Sequence, residues 1–157
     1  MSIAVRECEA DDLKGVVKIL EARRDDYARY EPVFWKRRQG IAQASADYLK
    51  TLLGAERTVC LVAAADDEIV GFLFGREMPT PPVYDAGPTA AIDDYYVRSP
   101  ELWATAGAGL LAEARSRFKD LGFQQIVVVS GYKDHAKMVF LRDHKLSLAA
   151  AWFTTPL

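Results

Sequence analysis

The residues best suited to chemistry lie between positions 89 and 122. A strand-like segment, TAAIDDYYV (89–97), leads through a short loop into a long helical pattern. That pattern opens on small residues: Ala104, Thr105, Ala106, Gly107, Ala108 and Gly109. A strand running into a glycine-bearing helix start can turn several free backbone N–H groups toward a phosphate. Small side chains let such a ligand approach the backbone closely, and they would equally let the helix pack tightly on a sheet. Tyr30, Phe34 and Trp35 form a second group, flanked by Asp25, Asp26 and Glu31. Aromatic faces beside carboxylates suit a cationic amine; they could as well make a small core of their own. Other reactive types offer less. Cys60 falls in a predicted central strand and reads as a small core residue, as does Cys8. His135 and His144 are nine apart on one short helical segment and make no metal pair, so no metal is expected. No Ser-His-Asp arrangement is readable.

The elements that must position these residues follow from periodicity. Ser2 to Glu9 alternates apolar and polar, as a half-buried strand does. Leu13, Val16, Val17 and Leu20 then recur at helical spacing, with Asp11 and Asp12 at the positive dipole end. Residues 24–39 lose clear periodicity. Ile41, Ala44, Tyr48, Leu49 and Leu52 mark a second helix ended by Gly54. Segments 58–64 and 69–78, joined by the turn 65–68, predict a hairpin. The proline-rich residues 79–88 predict a loop before the strand 89–97. Leu102, Ala106, Leu110, Ala114, Phe118 and Leu121 predict one helix from Pro100 to the cap Gly122. A buried strand (124–130), a short helix (133–144) and a last strand (146–155) complete the order β-α-α-β-β-β-α-β-α-β. This is an α/β chain with a mixed sheet, antiparallel first and with one parallel crossover.

Composition bounds the function. The 157 residues suit a single domain, 1–157, and half of them are hydrophobic. Twenty basic residues against 22 acidic ones give a net charge of -2. This argues against a nucleic-acid partner, for which a basic excess is usual. No apolar run approaches the roughly 20 residues needed to cross a bilayer. Two cysteines make no disulfide framework, so a cytoplasmic setting is expected.

Order and spacing together resemble the GNAT superfamily of acetyl-CoA-dependent N-acetyltransferases, over nearly the whole chain. VRECEADDLKGVVKIL is similar to that family's first segment, and VCLVAAADDEIVGFLFG to its second and third strands. AAIDDYYV with the helix ending at Gly122 resembles its acetyl-CoA segment. VVVSGYKDHAKMVFLRDHKL resembles its final strand and helix. The resemblance implies a mostly antiparallel central sheet with helices on both faces. It also implies transfer of acetyl from acetyl-CoA to a primary amine, of a small molecule or a peptide. The family often forms homodimers, for which the last strand offers a contact. Laid without gaps from Val97, the family's Arg or Gln, its middle glycine and its last small residue fall on Leu102, Thr105 and Gly107. Its Leu-Leu pair falls on Leu110 and Leu111. Its Asn-x-x-Ala-x-x-x-Tyr pattern reads Lys133, Ala136 and Phe140, and Phe140 has no proton to give.

These departures leave the backbone amides in place, and loss of the Arg removes a charge-assisted hydrogen bond of about 1.5–3 kcal/mol. The resemblance implies that cofactor lies against Tyr96, Val97 and the helix start, residues Leu102, Trp103, Ala104, Thr105, Ala106, Gly107 and Ala108. It places the acceptor near Tyr30, Phe34 and Trp35. An acidic residue often stands where Asp93 does, so Asp93 is the expected base, with Tyr95 the candidate replacement acid. Strict alternation would set Asp93, Tyr95 and Val97 on one face and Ile92, Asp94 and Tyr96 on the other. The alternative is a GNAT-like domain that binds acyl-CoA, or a partner, without catalysis.

Overall fold

The structure is a computed structural model that describes residues 1–157. Five strands form one sheet: β1 (Ala4–Glu7), β2 (Thr58–Ala65), β3 (Glu68–Met78), β4 (Thr89–Val97) and β5 (Gln125–Val128). Their spatial order is their chain order. The first four pair antiparallel, and β5 pairs parallel to β4. Helices α1 (Leu13–Tyr30) and α2 (Ala42–Leu52) cover one face; α3 (Ala106–Asp120) and α4 (His135–Asp143) cover the other. Alternation along β2 divides the core. Leu61 and Ala63 join Leu110, Ala114 and Phe118 of α3, while Cys60 and Val62 join Val16, Leu20 and Leu49 of α1 and α2.

The structure departs from expectation in four places. Helix α1 continues to Tyr30 although its apolar period fades after Leu20. Ion pairs Arg24–Glu21, Arg23–Asp26 and Arg29–Asp26, each three residues apart, support its last turns. The helix expected from Pro100 is broken: Pro100–Ala104 is a 3-10 turn, and α3 begins only at Ala106. The neighbours Leu102 and Trp103 are both buried, and the tighter turn lets both reach the core. The last strand does not form. Residues 146–155 pair with nothing, and Trp152 and Phe153 are exposed, because the run Ala149-Ala150-Ala151 has little to bury.

The fourth departure is a β-bulge. Phe74 faces Asp94 and Gly75 faces Ile92, so Asp93 has no partner on β3 and stands exposed. Alternation restarts beyond it. Ile92, Tyr95 and Val97 all face α3, while Tyr96 faces α1. Asp93 therefore does not share a buried face with Tyr95 and Val97. Gly75 is fitted closely to this spot: a Cβ there would lie 2.8 Å from Phe118 Cζ and 3.0 Å from the Ala91 carbonyl oxygen. Gly75→Ala should lower stability by about 1–3 kcal/mol, read as a reduced urea midpoint at unchanged slope.

Candidate active site

Pairing between β4 and β5 stops at Ile92 and Val128, with one last bond from Val129 N–H to the Ile92 carbonyl. Beyond it, residues 94–97 of β4 bond to β3 alone. The two strands part here, and the site is built around that parting.

Helix α1 reaches across it through Tyr27. The Tyr27 hydroxyl donates to Asp134 Oδ2 at 2.8 Å and accepts from Gly131 N–H at 3.1 Å. Asp134 in turn caps α4, its carboxylate accepting from Lys137 N–H. Gly131 is required because a Cβ would come within 2.9 Å of the Tyr27 ring. Lys133 Nζ donates to the Tyr30 carbonyl at 2.9 Å, closing the C-terminal end of α1 against the same loop.

Two cavities flank this framework. The first, about 240 Å³, is lined by Arg23, Tyr30, Val97, Pro100, Trp103 and residues 133–136. The second, about 410 Å³, lies between α1 and α2; Asp94, Arg24, Arg38, Ser45 and Tyr48 line it. Asp94 is the half-buried carboxylate of β4, and desolvation raises its pKa above the ordinary aspartate value. The burial expected at Asp93 is thus found one residue on.

Lys137 of α4 connects the two cavities electrostatically. It is fully buried, with the Tyr96 ring 4.4 Å, the Tyr95 ring 5.5 Å and the Trp103 ring 5.9 Å from its Nζ. Burial pulls its amine down to about 8, opposed by the nearby Asp134 and Asp94. Two buried side-chain nitrogens lack any partner, Lys137 Nζ and Arg23 Nε, and Arg23 lines the first cavity.

The start of α3 is only half open. Leu102, Trp103, Ala106 and Gly107 are buried; Ala104 and Thr105 are exposed, and Ala108 is half-buried. Trp103 lies over Gly107, where a Cβ would meet its Cε3 at 2.6 Å. Tyr95 is buried, and its hydroxyl donates to the Gly107 carbonyl at 2.6 Å. Desolvation pushes that hydroxyl well above the usual tyrosine range. Tyr95 is therefore a strut under the helix start, with its proton committed. Tyr96 and Val97 end β4 beside the first cavity, Val97 lining it and Tyr96 packing on Tyr27 at 5.7 Å.

Of the three acceptor-side aromatics, only Tyr30 lines either of these two cavities. Trp35 packs edge-on to Tyr27 at 5.2 Å and to Phe34 at 4.6 Å, and Phe34 meets Trp152 at 5.8 Å. Trp35 thus joins the α1-side core, and Phe34 packs on its outer side. Burial raises both thiols to about 12, which suits Cys8 and Cys60 as core residues. Asp94, Lys137 and Tyr27 are site residues that sequence reasoning missed. A signal existed for Lys137 alone: it shares a helical stripe with Phe140, Leu141 and His144.

A family model described as acetyltransferase (GNAT) family matches residues 19–141. No curated protein matches the sequence. Solved structures share the fold at low identity. A tetramutant of the BH1408 protein from Bacillus halodurans superimposes with TM-score 0.83 at 15% identity, covering 98% of this chain and 99% of that one. A predicted acetyltransferase with acetyl-CoA from Clostridium acetobutylicum gives 0.74 at 15% identity, over 99% and 96%. An aminoglycoside 6'-N-acetyltransferase from Acinetobacter baumannii gives 0.72 at 9% identity, over 99% of both chains.

The buried amine makes a prediction about stability. Unfolded lysine titrates near 10.4, so between about pH 8 and 10.4 the unfolded chain holds the extra proton and stability rises with pH. Lys137→Met removes the buried charge and should be the more stable protein at pH 7. Its advantage should shrink as pH rises from about 8 toward 10.4, measured by urea unfolding of both proteins across that window. A constant gap would mean that Lys137 is not desolvated as described.

Proposed function

Because the chain belongs to the GNAT acetyltransferase family, we propose that it moves the acetyl group of acetyl-CoA directly onto a primary amine. The observation that carries the reading is the parting of β4 from β5. It has a cavity on either side, with the partnerless Lys137 Nζ and the unbonded Nε of Arg23, whose guanidinium pairs with Asp26, beside it. Those nitrogens, and the positive end of α3 just beyond the exposed Ala104–Thr105, fit an anionic, acyl-bearing ligand.

In this reading the backbone of Tyr96 and Val97 lies along the cofactor's arm, and residues 102–108 lie along its phosphates, with the N–H groups of Leu102 and Thr105 already bonded to the Ser99 and Leu102 carbonyls. The cofactor supplies an activated acyl group. The chain's own residues do the rest. Tyr95 holds the Gly107 carbonyl and so fixes the helix start. The second cavity receives the acceptor amine, with Asp94 at its wall to take up the proton that the amine loses. Asp94 suits this better than Asp93, because burial brings a carboxylate pKa toward that of a working base. The solved neighbours include enzymes named as aminoglycoside acetyltransferases, so amino sugars belong among the amines tested.

One observation favours the second reading, acyl-CoA binding without turnover. Trp103 covers Gly107 and stacks at 4.9 Å on Phe140, the residue in the place of the family's tyrosine. Calorimetry with acetyl-CoA, then free-thiol release against an amine panel, separates the two. Binding with turnover supports the enzyme, binding alone supports the second reading, and absence of binding at millimolar cofactor removes both. Asp94→Asn should lower kcat by about 10²–10⁴-fold while leaving cofactor affinity unchanged. It should also abolish the rise of kcat with pH through the raised Asp94 pKa. Asp93→Asn should change kcat little; the opposite pattern would return the role of base to Asp93.

A further inference from the structure

The Lys137 amine is a cation with no fixed partner in the one place where the sheet opens. Its Nζ has no hydrogen-bond acceptor although the side chain is wholly buried. Three aromatic faces surround it, and such faces favour the protonated form. One turn further along α4, Phe140 stands where a proton-donating hydroxyl is expected. Its ring is already taken up by Trp103 at 4.9 Å and His144 at 4.2 Å.

We propose that Lys137 Nζ is the group that protonates the departing sulfur of the thioester, the task for which Phe140 has no proton. This rests on the acetyl-transfer reading above. The acceptor nitrogen bonds to the thioester carbonyl carbon, and the carbon–sulfur bond breaks with its electron pair on sulfur. A proton passes from Lys137 Nζ to that sulfur and gives the free thiol. The acceptor nitrogen gives up its own proton to Asp94; after the products leave, Asp94 releases that proton to solvent and solvent returns one to Lys137, so the sum is amine plus thioester to amide plus thiol.

The groups facing Lys137 leave it this task. From β4 come Asp94, Tyr95 and Tyr96, and from the start of its own helix Asp134, which Tyr27 of α1 holds. Burial pushes all three tyrosine hydroxyls up, so they hold their protons through neutral pH. Asp134 accepts the Tyr27 hydroxyl. A lysine at about 8 is charged at neutral pH and still gives its proton to a thiolate without a large mismatch. Arginine in its place would keep the charge and could not release the proton.

Wild type, Lys137→Met and Lys137→Arg would be compared with acetyl-CoA and with an acetyl aryl thioester, whose thiol is acidic enough to leave unprotonated. Both variants should lose about 10²-fold in kcat with acetyl-CoA, and less than about threefold with the aryl thioester. Independently of turnover, the thiol of bound coenzyme A should ionise at lower pH on wild type than on Lys137→Met, by ultraviolet thiolate absorbance. Desulfo-coenzyme A should bind all three proteins alike. Equal losses with both thioesters, or thiol ionisation indifferent to Lys137, would overturn the proposal. So would an acetyl group on Lys137 in the intact mass, which would make the amine a nucleophile. If coenzyme A does not bind wild type at all, the acetyl-transfer reading falls and the proposal with it; binding with either contrary result removes the proposal alone.

Discussion

Everything in this molecule that bears on chemistry depends on where β4 stops pairing with β5. A parallel ladder four residues long ends at Ile92 and Val128, and the bulge at Asp93 follows at once. From Asp94 to Val97 the strand keeps β3 on one side and loses its partner on the other. A strand edge in a protein interior presents backbone donors and acceptors that need partners. The fold answers only part of that need. The Tyr27 hydroxyl ties Gly131 and Asp134 to α1, which fixes the two sides of the parting relative to each other. The parting itself is filled by side chains, Lys137 among them. An extended ligand could pair with the uncovered edge as a strand would, which is why the geometry suits the arm of a long acyl carrier.

The altered cofactor segment follows a physical logic of its own. Trp103, Gly107, Tyr95 and Phe140 form one unit. Trp103 lies on Gly107 and stacks on Phe140, and Tyr95 meets Trp103 edge-on at 5.0 Å while bonding the Gly107 carbonyl. The loss at the tyrosine position is therefore tied to the helix start by one contact, Phe140 against Trp103. Gly107 has its place here because Trp103 needs the room. The small residue read as a phosphate cradle serves packing, and Ala104 and Thr105 are the exposed residues of the turn.

Local pattern carried most of the architecture. The hairpin, the strand 89–97, the α2 and α4 helices and the parallel β5 all follow from apolar period and turn residues. What could not be read were features set by contacts between distant elements. The extension of α1 to Tyr30 depends on charge pairs with no apolar signature, and the 3-10 break depends on burying Leu102 and Trp103 together. The bulge is the costliest omission. One unpaired residue reverses the facing of what precedes it on β4, so Ile92 joins Tyr95 and Val97, and Asp93, which the family resemblance offered as the base, is left exposed. Trp152 and Phe153 had the composition of a last strand, but a strand also needs an edge, and none receives them.

Lys137 shows how burial and site can be told apart. Taking an ammonium out of water is worth several kcal/mol against the fold, and a cation–π contact returns only about 0.5–2 kcal/mol. Two carboxylates, Asp94 and Asp134, pull its pKa upward, yet burial still wins and leaves it lowered. A methionine would fill the same stripe beside Phe140 and Leu141 at less cost. Packing accounts for the stem of the side chain and not for its nitrogen. A buried donor with no acceptor is accounted for once an acceptor arrives from outside the chain, and this donor sits where the sheet leaves an edge uncovered.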